Sequence, residues 1–172
     1  TAKDGIVGAF CRTYSVEDAI EAFLPEVYIK GENGRYTYKG GSTSGGLVIY
    51  EDGRFAYSHH STDPTCGKLC NAFDLVRIHM FGKDDEGKPA NTAANNLPSY
   101  KNMCKWIETN CESVMKELQS KQLDYIVQLF GEGDEAPDMN WVSQLEVNPK
   151  TGHAATTVEN IRIIVKNHAF RD

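Results

Sequence analysis

The sequence predicts an α+β fold in which a short antiparallel β-ribbon lies between two helical regions. Three runs rich in aromatic and β-branched residues are separated by turn signals. These runs are residues 35–38, 46–50 and 55–58. Apolar residues at helical spacing precede the runs at 5–24 and follow them at 71–81 and from Pro98 onward. We therefore predict an N-terminal helical hairpin, a three-stranded antiparallel β-ribbon packed on a helix, and a mainly helical C-terminal region.

The first helical segment divides into two helices at Thr13-Tyr14. Ser15 and Asp18 have the spacing of a capping box, in which the hydroxyl accepts an early backbone N–H and the acid reaches back. Pro25 then ends the second helix. A helix-turn-helix DNA reader is one interpretation of this hairpin. We favour a packing role, because Glu17, Asp18 and Glu21 on the second helix would repel phosphate.

The length of 172 residues allows one ordinary domain or two small ones. The polar stretch after Gly82 is the best candidate for a boundary between two substructures. We predict a ribbon-containing part at 1–82, an exposed loop at 83–97 and a helical region at 98–172. Because the chain starts at Thr1 without an initiator Met, we expect it to be a piece of a longer protein.

Composition limits the partners. The net charge of −6 and the pI near 5.4 argue mildly against tight, autonomous DNA binding, although a local basic patch remains compatible with them. The five cysteines are odd in number and loosely spaced, which favours a reducing cytosol over a disulfide scaffold. No apolar run has the length of a membrane span. We therefore predict a cytoplasmic protein with no membrane partner.

The segment at 57–74 concentrates residues that can bind metals. They are His59, His60, Asp63, Cys66 and Cys70. Zinc is usually held by two close pairs of ligands, and Cys66-x3-Cys70 supplies one pair. The opposing turn, Gly40–Gly46, has no Cys, His or acid. We expect no metal and no other cofactor, with the histidines and Asp63 ordering the loop through hydrogen bonds. Zinc held by this one stretch is the alternative.

A His-His-x2-Asp cluster can also activate a metal-bound water for phosphodiester hydrolysis. Such a site at His59, His60 and Asp63 would need further acidic ligands, and no second acidic motif is present. We expect no catalytic residue in this chain. A metal-dependent, nuclease-like site at these three residues is kept as an alternative.

Several residues of the ribbon are candidates for contact with nucleic acid. The loop Gly40–Gly46 is rich in Gly, Ser and Thr, and such loops can cradle phosphate with backbone N–H groups. Exposed aromatic residues of the ribbon can stack on single-stranded bases, while about half should face the core. The side chains that we expect to contact DNA are Arg35, Lys39, His59, His60 and Arg77.

The most specific string is Tyr57–Pro64, YSHHSTDP, followed by Leu69–Arg77, LCNAFDLVR. Together with 5–24 and 35–82, it resembles the segment upstream of the helicase in virulence-associated E family proteins, which are phage and prophage replication proteins. The tail of the chain is similar to the approach to that family's ATPase domain. The residues that carry this second likeness are Trp141, Leu145, Gly152, Asn160 and Asn167-His168.

The resemblance implies a primase-like part, this connector and a superfamily 3-type helicase in one polypeptide. The nucleotidyl-transfer acids and Walker motifs of those enzymes are absent from this sequence, so no catalytic role is carried over. The order of strands, turn, knuckle and helix is also similar to the zinc ribbon of bacterial primases. There the turn and the knuckle, the polar connection before the helix, carry Cys and His ligands. Here the turn Gly40–Gly46 has none, and the knuckle holds His59, His60 and Asp63. This departure implies a ribbon that kept its fold after losing its metal.

The resemblance thus favours a non-catalytic DNA-handling or domain-linking module. Its expected partners are single-stranded or template DNA and the primase and helicase domains of the same polypeptide. The acidic net charge favours the alternative, a structural interaction module that does not bind DNA.

Overall fold

The fold is taken from a computed structural model. It describes residues 3–130, 140–146, 148 and 154–168. The chain divides into two compact units, one formed by Phe10–Cys111 and the other by Thr1–Ala9 with Glu112–Asp172. The loop that we predicted as a boundary, 83–97, lies inside the Phe10–Cys111 unit.

The predicted helical hairpin is confirmed by α1 (Gly5–Thr13) and α2 (Val16–Phe23). The capping box is present as expected. Ser15 Oγ accepts from the Asp18 N–H at 3.1 Å, and Asp18 Oδ2 accepts from the Ser15 N–H at 3.0 Å. The apolar side of α2 is buried, which supports a packing role for this helix.

A five-stranded antiparallel sheet follows the hairpin, with its strands in sequential order. The strands are β1 (Tyr28–Lys30), β2 (Tyr36–Tyr38), β3 (Leu47–Tyr50), β4 (Phe55–Ser58) and β5 (Leu69–Cys70). The three predicted strands correspond to β2, β3 and β4. The edge strands β1 and β5 were missed because they have only three and two residues, too few to show an alternating pattern.

The helix α3 (Ala72–Phe81) packs on β4 and β5, which confirms a ribbon packed on a helix. Asn71 caps α3, with its Oδ1 accepting from the Asp74 N–H at 2.8 Å. Phe73, Leu75 and Val76 are fully buried on this helix. Its other neighbours are α2 and α4 (Pro98–Asn110). Because α4 packs on α3, the first residues of the predicted C-terminal region belong with the sheet.

The other unit contains α5 (Glu112–Phe130), a 3-10 helix at Asn140–Gln144 and α6 (Val158–His168). Trp141 and Leu145 form a small core with Ala154, Ile163 and Ile164. Gly152 lies outside the described residues. No helix in the described part of the chain is both long and apolar enough to cross a bilayer. The α+β class predicted from the sequence is confirmed.

Candidate nucleic-acid interface

The sheet has two faces with different exposure, because side chains alternate along each strand. The inner face, which points into the core, carries Tyr28, Tyr36, Tyr38, Leu47, Ala56, Ser58 and Cys70. The outer face carries Ile29, Thr37, Val48, Tyr50, Phe55, Tyr57 and Leu69. Ile29, Tyr50 and Leu69 are 53%, 45% and 61% exposed. The outer face is therefore a partly apolar, partly aromatic surface.

Asp63 lies at the centre of a buried network beside the inner face. Its Oδ2 accepts from Tyr28 Oη at 2.8 Å and from Ser58 Oγ at 2.7 Å. Its Oδ1 accepts from the Thr65 N–H at 2.8 Å and from Thr65 Oγ1 at 2.7 Å. His79 Nε2 lies 3.3 Å from the same Oδ1. One carboxylate thus joins β1, β4, the turn after β4 and α3.

Burial and hydrogen bonding act on this carboxylate in opposite directions. Burial raises the pKa of Asp63, but hydrogen bonds from His79 and the neighbouring hydroxyls outweigh it and hold the pKa well below its usual range. Burial also raises the pKa of Tyr28 far above its usual range. Tyr28 therefore stays protonated and donates, while Asp63 stays charged and accepts.

His60 organises the loop between β2 and β3. Its ring is buried, and Nε2 accepts from the Gly46 N–H at 3.0 Å and from the Tyr38 N–H at 3.3 Å. A nitrogen that accepts carries no proton, so the hydrogen bonds assign the proton to Nδ1. Nδ1 lies 2.8 Å from Thr43 Oγ1 and donates to it. We call residues Gly40–Gly46 the tip loop.

Two glycines of the tip loop make room for this ring. A Cβ on Gly46 would lie 2.6 Å from His60 Nε2, closer than any side chain tolerates. A Cβ on Gly41 would lie 3.2 Å from His60 Nδ1. The glycine-rich composition of the tip loop is therefore explained in part by the histidine that it surrounds.

The hydrogen bonds also bear on the residues considered as metal ligands. Both ring nitrogens of His60 and both oxygens of Asp63 have partners, so a metal would have to displace them. Cys70 is buried, and burial raises the pKa of its thiol to about 11, which disfavours a thiolate ligand. Cys66 and His59 are exposed. Within the described residues, no three His, Cys, Asp or Glu side chains gather as a metal site would require.

Three elements predicted to contact DNA meet at one end of the outer face. Arg35 lies beside the tip loop, because a Cβ on Gly45 would be 3.7 Å from the Arg35 Cβ and Cδ. The His59 N–H donates to the Gly46 oxygen at 2.8 Å. The His59 ring lies 4.7 Å from the Tyr57 ring, measured between centroids. Arg35 and His59 are both exposed.

The tip loop adds unpaired donors to this end of the sheet. The Gly45 N–H is used by Thr37 Oγ1 at 2.8 Å. By contrast, the backbone N–H groups of Ser42, Thr43 and Ser44 have no hydrogen-bond partner among the described residues. Consecutive N–H groups of this kind can bind an anion.

Arg77 is placed differently from Arg35. It is 6% exposed, and its Nη2 lies 3.2 Å from Asp74 Oδ1. Its Nη1 donates to Ser99 Oγ at 2.6 Å and lies 3.6 Å from Asp85 Oδ2. This network joins α3 to α4, so Arg77 can reach a phosphate only if the network opens.

Lys39 is exposed and follows β2. Its Nζ lies 3.1 Å from Glu26 Oε2 and donates to the Pro25 oxygen at 3.1 Å. An exposed pair of this kind contributes about 0–1 kcal/mol. Lys39 can therefore exchange its carboxylate for a phosphate at little cost.

Sequence reasoning missed several residues that shape this region, notably Tyr28, Thr43 and His79. Each acts through a partner distant in sequence, as Tyr28 does with His79 at 2.7 Å. Pairs of residues that are distant in sequence leave no local motif from which they could be predicted.

Comparison of the chain with protein-family models, with curated proteins and with solved structures gives no match. The candidate interface therefore depends on the geometry described above.

Proposed function

We propose that this chain is a non-catalytic DNA-handling module of a phage or prophage primase-helicase, and that the outer face of its sheet contacts single-stranded DNA. The observation that carries the proposal is the meeting of Arg35, His59 and the tip loop beside the half-buried ring of Tyr57. Cationic side chains and backbone N–H groups bind phosphates, and aromatic rings stack on bases.

The geometry suits an extended strand. Tyr57 of β4 and His59, which directly follows the strand, are two residues apart, which corresponds to about 7 Å along an extended chain. Arg35 and the N–H groups at 42–44 lie at the same end of the sheet as His59. A phosphate at the tip loop would leave the neighbouring base free to stack on Tyr57. Exposed Tyr50 offers a second ring farther along the outer face.

The resemblance to virulence-associated E family proteins supports DNA as the ligand. It also supports the primase and helicase domains of the same polypeptide as the protein partners. The cysteines that the structure describes are free thiols, which suits a cytoplasmic protein. Because the chain carries a net charge of −6, we expect modest affinity that falls steeply with salt.

The proposal is tested by titrating a labelled oligodeoxythymidylate with the protein and measuring fluorescence anisotropy at about 50 mM and about 200 mM salt. We expect binding that weakens as salt rises. Arg35→Ala should reduce the slope of log K against log salt by about one unit. Tyr57→Ala should weaken binding by about fivefold or more, since it removes a stacking ring.

The matched control is Arg162→Ala. Arg162 is an exposed arginine of α6 that pairs with Glu159 at 3.5 Å, away from the sheet in sequence. Its removal should leave the affinity and the salt slope unchanged. Equal losses in Arg35→Ala and Arg162→Ala would contradict a localised interface.

A second candidate is an interaction module that does not bind DNA. It is favoured by the acidic net charge and by the exposed apolar side chains Ile29 and Leu69 on the outer face. It predicts no DNA binding even at low salt. It also predicts concentration-dependent association in analytical ultracentrifugation that Leu69→Lys abolishes.

A further inference from the structure

We propose that His60 is the positioning residue of this interface, and that its Nδ1–H form holds the tip loop in the shape that presents the N–H groups of residues 42–44. The inference takes its ligand, single-stranded DNA, from the proposed function. Its mechanism depends only on the hydrogen bonds of His60.

The ring of His60 fixes the tip loop at three points. Nε2 accepts from the Tyr38 N–H, where β2 ends, and from the Gly46 N–H, just before β3 begins. Nδ1 donates to Thr43 Oγ1 in the middle of the loop. One side chain therefore holds the beginning, the middle and the end of the loop.

The loop has few other tethers. Thr62 Oγ1 donates to the Gly40 oxygen at 3.2 Å, and Thr37 Oγ1 accepts from the Gly45 N–H at 2.8 Å. Two backbone bonds, from the Gly41 N–H to the Tyr38 oxygen at 3.0 Å and from the His59 N–H to the Gly46 oxygen at 2.8 Å, also hold only the ends of the loop. Residues 42–44 are exposed. The direction of their backbone N–H groups therefore depends mainly on the contact between His60 and Thr43.

The chemistry of this position is specific. The side chain must offer one acceptor for two backbone N–H groups and one donor for a hydroxyl. Neutral histidine does this, and glutamine can do it with its Oε1 and Nε2. Leucine fills a similar volume but offers neither group. A histidine protonated at both nitrogens has no acceptor, so it cannot hold Tyr38 and Gly46.

The charged groups around His60 do not replace this function. The tip loop has no ionisable side chain. Tyr38 faces the ring at 6.4 Å between centroids, and His79 in turn lies 6.0 Å from Tyr38. Asp63 is engaged in its own network, with Tyr28 among its donors.

Two further ionisable residues are close in sequence: His59 precedes His60, and Lys39 precedes the tip loop. His59 is exposed beside Tyr57, and Lys39 pairs with Glu26. Among the described residues, the hydrogen-bond partners of the His60 ring are therefore two backbone N–H groups and one hydroxyl, none of them charged.

The experiment measures two properties in the whole chain, for the wild type, His60→Leu and His60→Gln. The first is amide hydrogen exchange at Gly46 and Tyr38 by NMR. The second is affinity for the labelled oligodeoxythymidylate. In His60→Leu we expect exchange at both amides to accelerate by about tenfold or more and affinity to fall by about fivefold. In His60→Gln both properties should stay within about twofold of the wild type.

Thr43→Val covers the case in which His60→Leu does not fold. It removes only the acceptor of the Nδ1 proton, at an exposed site. We expect a smaller loss of affinity, about threefold, with α3 amides still protected.

Three results would overturn the proposal. They are unchanged exchange at Gly46 in both His60→Leu and Thr43→Val, faster exchange with unchanged DNA affinity, and loss of both properties in His60→Gln. A wild type that does not bind DNA would overturn the proposed function instead. The exchange data would still show whether His60 holds the tip loop.

Discussion

The two faces of the sheet have polar and charged residues of similar types beside them, but these residues are buried at the inner face and exposed at the outer face. Beside the inner face, His60 and Asp63 are 2% and 3% exposed, and their polar side-chain atoms are engaged by neighbouring residues. At the end of the outer face, His59 and Arg35 are exposed and lie beside the tip loop, at Gly46 and Gly45 respectively. The difference shows that the pair His59-His60 contains one exposed residue and one buried residue whose ring nitrogens both have hydrogen-bond partners.

The largest effect is expected from breaking the buried network. Asp63→Ala removes the acceptor for Tyr28, Ser58 and Thr65 at once. Buried donors without partners are costly, so the free energy of unfolding should fall by about 3–5 kcal/mol. Equilibrium urea denaturation measures the loss.

The control for this variant is Glu86→Ala, which removes an exposed carboxylate. It should change the free energy of unfolding by less than about 0.5 kcal/mol. A loss below about 1 kcal/mol in Asp63→Ala would mean that the network contributes little to the fold.

A smaller loss is expected from crowding the His60 ring. Gly46→Ala places a Cβ 2.6 Å from Nε2 of a buried side chain, so it should cost about 1–3 kcal/mol of unfolding free energy. Gly82→Ala is the matched control. Gly82 is helical, and its Cβ would make an ordinary contact at 3.6 Å with Ile78 Cγ2. Equal stability of the two variants in thermal unfolding would show that the ring moves freely.

Acid should remove the stabilisation from Asp63 gradually. Its folded-state pKa lies below the ordinary value of about 3.9. The stabilisation is therefore fully present above that value and is lost as the pH falls through the folded-state pKa. In Asp63→Asn, the stability deficit measured near pH 7 should shrink below pH 4, about the ordinary pKa of aspartate. A deficit that stays constant to pH 2, roughly the acid limit of such a titration, would contradict this assignment.

The sequence predicted those parts of the fold that have local signals. The capping box at Ser15, the three inner strands and α3 each have a pattern within a few residues. The strands β1 and β5 lack one, because at three and two residues they depend on pairing with their neighbours.

The candidate site was predicted only in part, because the contacts that position its residues also have no local sequence pattern. Arg35 and His59 were expected to contact DNA, and the structure leaves both exposed at one end of the outer face. Their role in binding stays a prediction. Arg77 was grouped with them because composition alone does not distinguish an exposed arginine from one held by Asp74 and Ser99. The sequence placed a boundary at 83–97, but it did not show the hydrogen bonds from Ser99 to Asp85, which connect this loop to α4.

The most direct test compares one residue from each face in a single experiment. His59→Ala removes an exposed ring from the outer face. Thr65→Val keeps the side-chain shape but removes a buried hydroxyl that donates to Asp63 at 2.7 Å and lies 3.3 Å from Tyr28 Oη. For each variant, oligodeoxythymidylate affinity is measured together with the free energy of unfolding.

We predict that His59→Ala weakens binding by about fivefold and leaves stability within about 0.5 kcal/mol. We predict that Thr65→Val leaves binding unchanged and lowers stability by about 1 kcal/mol. Loss of affinity in Thr65→Val with none in His59→Ala would contradict the proposal that the outer face contacts DNA.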